Sequence, residues 1–136
     1  MIQPRASLRT LAVAGLVSVA ALAAHAACPF PADAPAHAIA GPVQARWTTE
    51  PQPVQVGEPF VMRVSLCPAN AQLLRVDATM PEHRHGMNYR PSIEALGPGE
   101  WRVQGLVWHM AGRWELKLDT RLADTTHTLT QSVNLK

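Results

Sequence analysis

Residues 113–119 read Arg113-Trp114-Glu115-Leu116-Lys117-Leu118-Asp119, an unbroken alternation of charged and large apolar side chains. A strand sends successive side chains to opposite faces, so Trp114, Leu116 and Leu118 share one face and the charged residues share the other. A helix would scatter the same residues around its axis. The stretch therefore predicts a strand with one side on a core and one in water.

The pattern repeats outward from there. Phe60, Met62, Val64 and Leu66 alternate with Val61, Arg63 and Ser65, and Leu129, Val133 and Leu135 share a face near the end of the chain. Strands are predicted over 43–49, 60–66, 73–79, 89–95, 101–108, 114–120 and 126–135. The breakers between them include 51–53, Gly57-Glu58-Pro59, Pro68-Ala69-Asn70, Gly97-Pro98-Gly99 and Ala111-Gly112. Seven short strands with no segment of helical period predict an all-β chain, an antiparallel sandwich. Trp47, Trp101 and Trp114 are expected in its core, where large rings dominate small sandwiches.

Ahead of the sandwich, Arg5 and Arg9 precede an apolar run over 11–24 and the small-residue sequence Ala24-His25-Ala26. This order predicts a secretory signal over 1–26. The run of about 14 residues falls short of the ~20 needed to cross a bilayer, which argues against an anchor. Periplasmic or secreted localisation follows. Cys28 near the cut raises lipid attachment as a minor alternative, but His25 stands where such a signal has an apolar residue. Residues 27–42, rich in Pro and Ala, read as a leader to a domain over 43–136. Once Arg5 and Arg9 leave with the signal, ten basic residues face ten acidic ones. That balance supplies no surplus to displace counterions from phosphates, so nucleic acid is excluded as a partner. No second stretch of membrane-spanning length occurs.

Cys28 and Cys67 are the chain's two cysteines. In an oxidising compartment a disulfide between them is the economical expectation, and it would constrain the unfolded chain by roughly 3 to 4 kcal/mol. A Cys-ligated metal or reactive thiol is the competing reading, without a CxxC spacing or an adjacent His to support it.

Chemistry concentrates in Met80-Pro81-Glu82-His83-Arg84-His85-Gly86-Met87 and in Trp108-His109-Met110-Ala111-Gly112. Imidazole nitrogen and thioether sulfur are neutral, polarizable donors, and a site mixing them favours Cu(I) over Zn(II), Mg(II) or Ca(II). If residues 82–87 are extended, His83, His85 and Met87 project to one side, with Met110, Met80 or His109 available to complete a shell. His37 and His127 stand apart and receive no role.

The run from Asp77 to Met87, the Gly99-Glu100-Trp101 turn and the run from Gly105 to Leu116 resemble the YtkA-like domain family, related to FixH-like proteins. The resemblance covers roughly residues 54–120. It implies an exported or membrane-tethered immunoglobulin-like sandwich engaged in copper handling or oxidase assembly. The matching positions are Met80, His83, His85, Gly86 and Met87, then Met110, Gly112 and Trp114. His109 lies outside the family pattern, and Ala111 stands where relatives often have Pro. FixH-like proteins also keep a membrane anchor, which the cleavable signal here would not provide.

Three functional classes follow. One is a periplasmic protein that binds Cu(I) and delivers it to a membrane copper protein or oxidase assembly factor. Its neutral ligands suit transferable binding, which acid would weaken because imidazole ligates only when neutral. A second is a metal-free interaction module that presents Met80, Met87, Met110 and Trp108 as an apolar patch and supports assembly of a membrane or respiratory complex. The third, an enzyme using Glu82 beside His83 at a metal-bound water, lacks any hydrolytic or phosphate-binding motif, so no catalytic residue is assigned.

Overall fold

The computed structural model describes residues 28–136 except 32 and 35. The signal predicted over 1–26 lies outside the described residues. Nine antiparallel strands form two sheets. They are β1 (His37–Ala40), β2 (Val43–Glu50), β3 (Pro59–Cys67), β4 (Gln72–Met80), β5 (His85–Gly86), β6 (Ser92–Gly97), β7 (Glu100–Val107), β8 (Gly112–Leu122) and β9 (Thr125–Leu135). One sheet runs β1-β2-β3-β7-β6 and the other β5-β4-β8-β9. With the short strands β1 and β5 set aside, the first, second, fifth and fourth strands face the third, sixth and seventh. That is the arrangement of an immunoglobulin-like sandwich.

The alternation of β8 is borne out: Trp114, Leu116 and Leu118 are wholly buried, as are Val64, Val76, Val103, Leu106 and Leu129 from the strands around them. Each large apolar side chain taken from water contributes about 2 kcal/mol against the entropy of ordering the chain. The core is thus the interleaved inner faces of both sheets. Trp47 and Trp114 join it, while Trp101 is only partly buried.

Two predicted boundaries differ. The stretch read as a leader over 27–42 contributes β1, which pairs with β2 from His37↔Arg46 to Ala40↔Val43. Its sequence, His37-Ala38-Ile39-Ala40, offers no polar-apolar alternation from which to read a strand. The strand expected over 89–95 begins instead at Ser92, directly after the buried Pro91, which has no N–H to give a ladder. Cys28 and Cys67 form a disulfide, which ties the start of the described chain to the end of β3. Neither sulfur is left for a metal or a lipid. Among the described residues no helix is long and apolar enough to cross a membrane.

Candidate metal centre

The site lies where β4, β5 and β8 meet the connection between β7 and β8. β4 ends in a hairpin: Thr79 pairs with Gly86 and Met80 with His85 around the turn over 81–84. Met80 accepts at its carbonyl from the backbone N–H groups of His83 (3.1 Å) and Arg84 (3.0 Å), and Arg84 takes a left-handed φ of 57°. The expectation of an extended 82–87 segment is therefore corrected. Pro81 and the left-handed residue curl the chain, so strict alternation does not carry His83 onto the face of His85, and His83 is exposed.

From residue 85 the alternation resumes. Directly paired residues of an antiparallel ladder share a face. The register that sends Met80 into the core, wholly buried, therefore turns His85 the same way, and His85 is half-buried. Met87 follows on that face, its N–H bound to the Ala78 carbonyl at 3.1 Å and its side chain packed against the core. Gly86 lets the two strands approach, since a Cβ there would stand 3.1 Å from the Ala78 carbonyl oxygen.

His109 arrives from the other side. Its ring centroid lies 5.0 Å from that of His85, and His83 lies 5.8 Å from His85 on the solvent side. Both His85 and His109 stand edge-on against the Trp114 indole, at 5.9 and 5.6 Å. That indole donates its N–H to the Met110 carbonyl at 2.9 Å. Met110 itself points outward, 37% exposed. Gly112 opens β8 at φ 125°, and a Cβ on it would come within 2.9 Å of the Met80 methyl. The structure thus brings the His85 and His109 rings together, turns Met80 and Met87 to the same face as His85, and leaves His83 and Met110 exposed.

His85 is chemically distinctive. Its Nδ1 lies 3.4 Å from the Gly86 carbonyl oxygen. With the proton on Nδ1, facing that carbonyl, Nε2 would hold the lone pair, the tautomer suited to ligation. That Nε2 is buried and has no hydrogen-bond partner. Such a group forgoes its hydration without compensation, at a cost of about 1 to 3 kcal/mol. Among the described residues no three His, Cys, Asp or Glu side chains gather for one ion. A site built on nitrogen alone is therefore limited to an imidazole pair, and further donors would have to be thioethers.

Sequence reasoning placed Trp114 in the core but missed that it floors both imidazoles, and it missed Arg113, whose Nε donates to Glu82 Oε1 at 2.7 Å. The apolar patch imagined for an interaction module is corrected too: Met80 and Trp108 are buried, because both face inward at the end of the core. Trp108 stacks on Trp114 at 5.7 Å. It also lines a separate cleft of about 970 Å³ with Trp47, Val54, Val133 and Leu135. No protein-family model, curated protein or solved structure matches this chain.

Proposed function

We propose that the chain is an exported protein that binds Cu(I) as cargo through His85 and His109, with thioether sulfur from Met80 or Met87, and hands the ion to a membrane copper protein or oxidase assembly factor. The observation that carries this reading is the buried, partnerless Nε2 of His85 beside the His109 ring. A soft ion held there would return the interaction energy that the nitrogen forgoes. Imidazole and thioether leave the ion's charge uncompensated, which suits release to a recipient. The likeness of the 80–87 and 110–116 segments to YtkA-like domains adds to the reading, and the Cys28–Cys67 disulfide is compatible with export.

The test is an anaerobic titration of the purified protein with Cu(I) against a chromogenic chelator, followed by X-ray absorption at the copper edge. Saturation near one equivalent, with both nitrogen and sulfur in the first shell, supports the reading. Failure to compete with the chelator, or a shell of oxygen and nitrogen alone, overturns it. The apolar cleft beside Trp108 favours a second reading, a protein-interaction module without metal. In that case the protein would take no copper, and substitutions in the cleft alone would abolish partner binding.

A further inference from the structure

Two consecutive residues at the start of β8 grip the two halves of the site from opposite faces of one strand. Arg113 points outward. Its guanidinium donates to Glu82 on the β4–β5 turn at 2.7 Å and reaches Ser132 of β9 at 3.4 Å. Trp114 points inward. Its indole N–H holds the Met110 carbonyl at 2.9 Å, and its ring lies against His85 and His109 together. The turn that leads into His85 and the connection that bears His109 share no ladder with each other: β5 pairs with β4 alone, and residues 108–111 belong to no strand. Beyond the β4–β8 ladder and the packing of Met80 against Gly112, the side-chain contacts described between the two halves pass through residues 113 and 114 and through the imidazoles themselves.

We infer that Arg113 and Trp114 are positioning residues that set the spacing of His85 and His109, Arg113 by fixing the turn and Trp114 by fixing the connection. The inference rests on the copper reading for its purpose but not for its geometry. The two grips differ in strength. The Arg113–Glu82 pair is exposed to water on both sides, with 37% and 56% of its side chains accessible, so it tunes the site. The Trp114 bond is covered by the core, and its loss leaves a carbonyl short of a partner.

The experiment uses the metal-free protein and the Cu(I) titration in parallel. In the metal-free protein, the ring-proton cross-relaxation between His85 and His109 reports their spacing directly. W114F keeps a ring but removes the N–H, while R113E breaks the outer grip and E82Q strips it of its charge, neither touching the core. Expected are a weakened cross-peak in each variant, a loss of Cu(I) affinity of about tenfold or more in W114F, and a loss of about three- to fivefold in E82Q and R113E. The charge-swapped double variant E82R/R113E should recover both signals, which a merely destabilised fold would not do. If W114F does not fold, the three surface variants still decide the matter. Unchanged cross-peaks and affinities in folded variants overturn the inference while leaving the copper reading intact. A wild-type protein that takes no Cu(I) overturns the copper reading, and the cross-peaks alone then decide the positioning role.

Discussion

The imidazoles of His85 and His109, one from a two-residue strand and one from an irregular connection, lie 5.0 Å apart between ring centroids. His83 is nearer in sequence to His85 yet sits farther away, exposed on the turn. Proximity and burial therefore rank the histidines. H85A and H109A should each lower Cu(I) affinity by at least about 100-fold, beyond the range seen when only an outer-shell partner is lost. H83A should cost less than about tenfold. H37A and H127A serve as controls, because His37 is buried beside Gln44 and His127 lies against Gly41, both outside the site. A chelator competition series checks the order, and an H83A effect as large as H85A would sink it.

Methionine can be a ligand or a filler, and the leucine variant separates the two roles. Leu conserves volume, so M80L and M87L should change unfolding free energy by less than about 1.5 kcal/mol. Met80 faces the same way as its ladder partner His85, and Met87 follows on that face. At least one of the two leucine variants should therefore lose about tenfold in Cu(I) affinity while remaining folded. M110L, at the exposed rim, should leave affinity within about twofold. The check is chemical denaturation beside the copper competition. Equal affinities in M80L, M87L and wild type would remove sulfur from the site.

The sandwich was legible because burial of one face imposes a period of two, and β8 keeps that period from Arg113 to Asp119 without exception. β1 escaped because Ala and Ile beside Pro give little contrast between faces. The site was half legible. Its residue types and their two segments could be read off the chain, but the local geometry of 81–84 turns on the left-handed φ of Arg84. Arg is an uncommon choice there, so extended backbone was the natural expectation. The approach of His109 to His85 is a contact between segments distant in sequence, set by how β4 and β8 register, and no local pattern encodes it.

Gly112 stands where the connection bearing His109 enters β8. Its φ of 125° is a conformation that only glycine adopts freely, and the Met80 methyl fills the space where a Cβ would stand. G112A should destabilise the fold by about 1 to 3 kcal/mol through backbone strain, lowering Tm by several degrees in a domain of this size. Because the new methyl must push Met80 aside, Cu(I) affinity should fall as well. Differential scanning calorimetry with the copper competition tests both. A variant of unchanged Tm would show the strain to be absent.

The disulfide joins residues 39 apart in sequence, from the start of the described chain to buried Cys67 at the end of β3. Restricting a loop of that length in the unfolded ensemble should stabilise the domain by about 4 kcal/mol on the entropy model. C28S, or reduction of the wild type, should therefore move the urea midpoint markedly downward with little change in the folded spectrum. Coincident denaturation curves for oxidised and reduced protein would contradict it.

Acid should loosen the outer grip in a defined direction. The Glu82 carboxyl titrates below its ordinary 4.5, chiefly because the Arg113 guanidinium donates to it, with its own backbone N–H and the charges of Arg113 and His83 adding to the effect. A group whose folded pKa is depressed contributes stability that is present above the unfolded value and is lost as pH falls through the folded one. The contribution is therefore intact at neutral pH and disappears only below the ordinary carboxylate range. Urea unfolding of wild type and E82Q across pH 2 to 7 checks the sign. The two stabilities should converge at the acid end and separate toward neutrality, and a gap that widened in acid would be inconsistent with the Arg113 pairing.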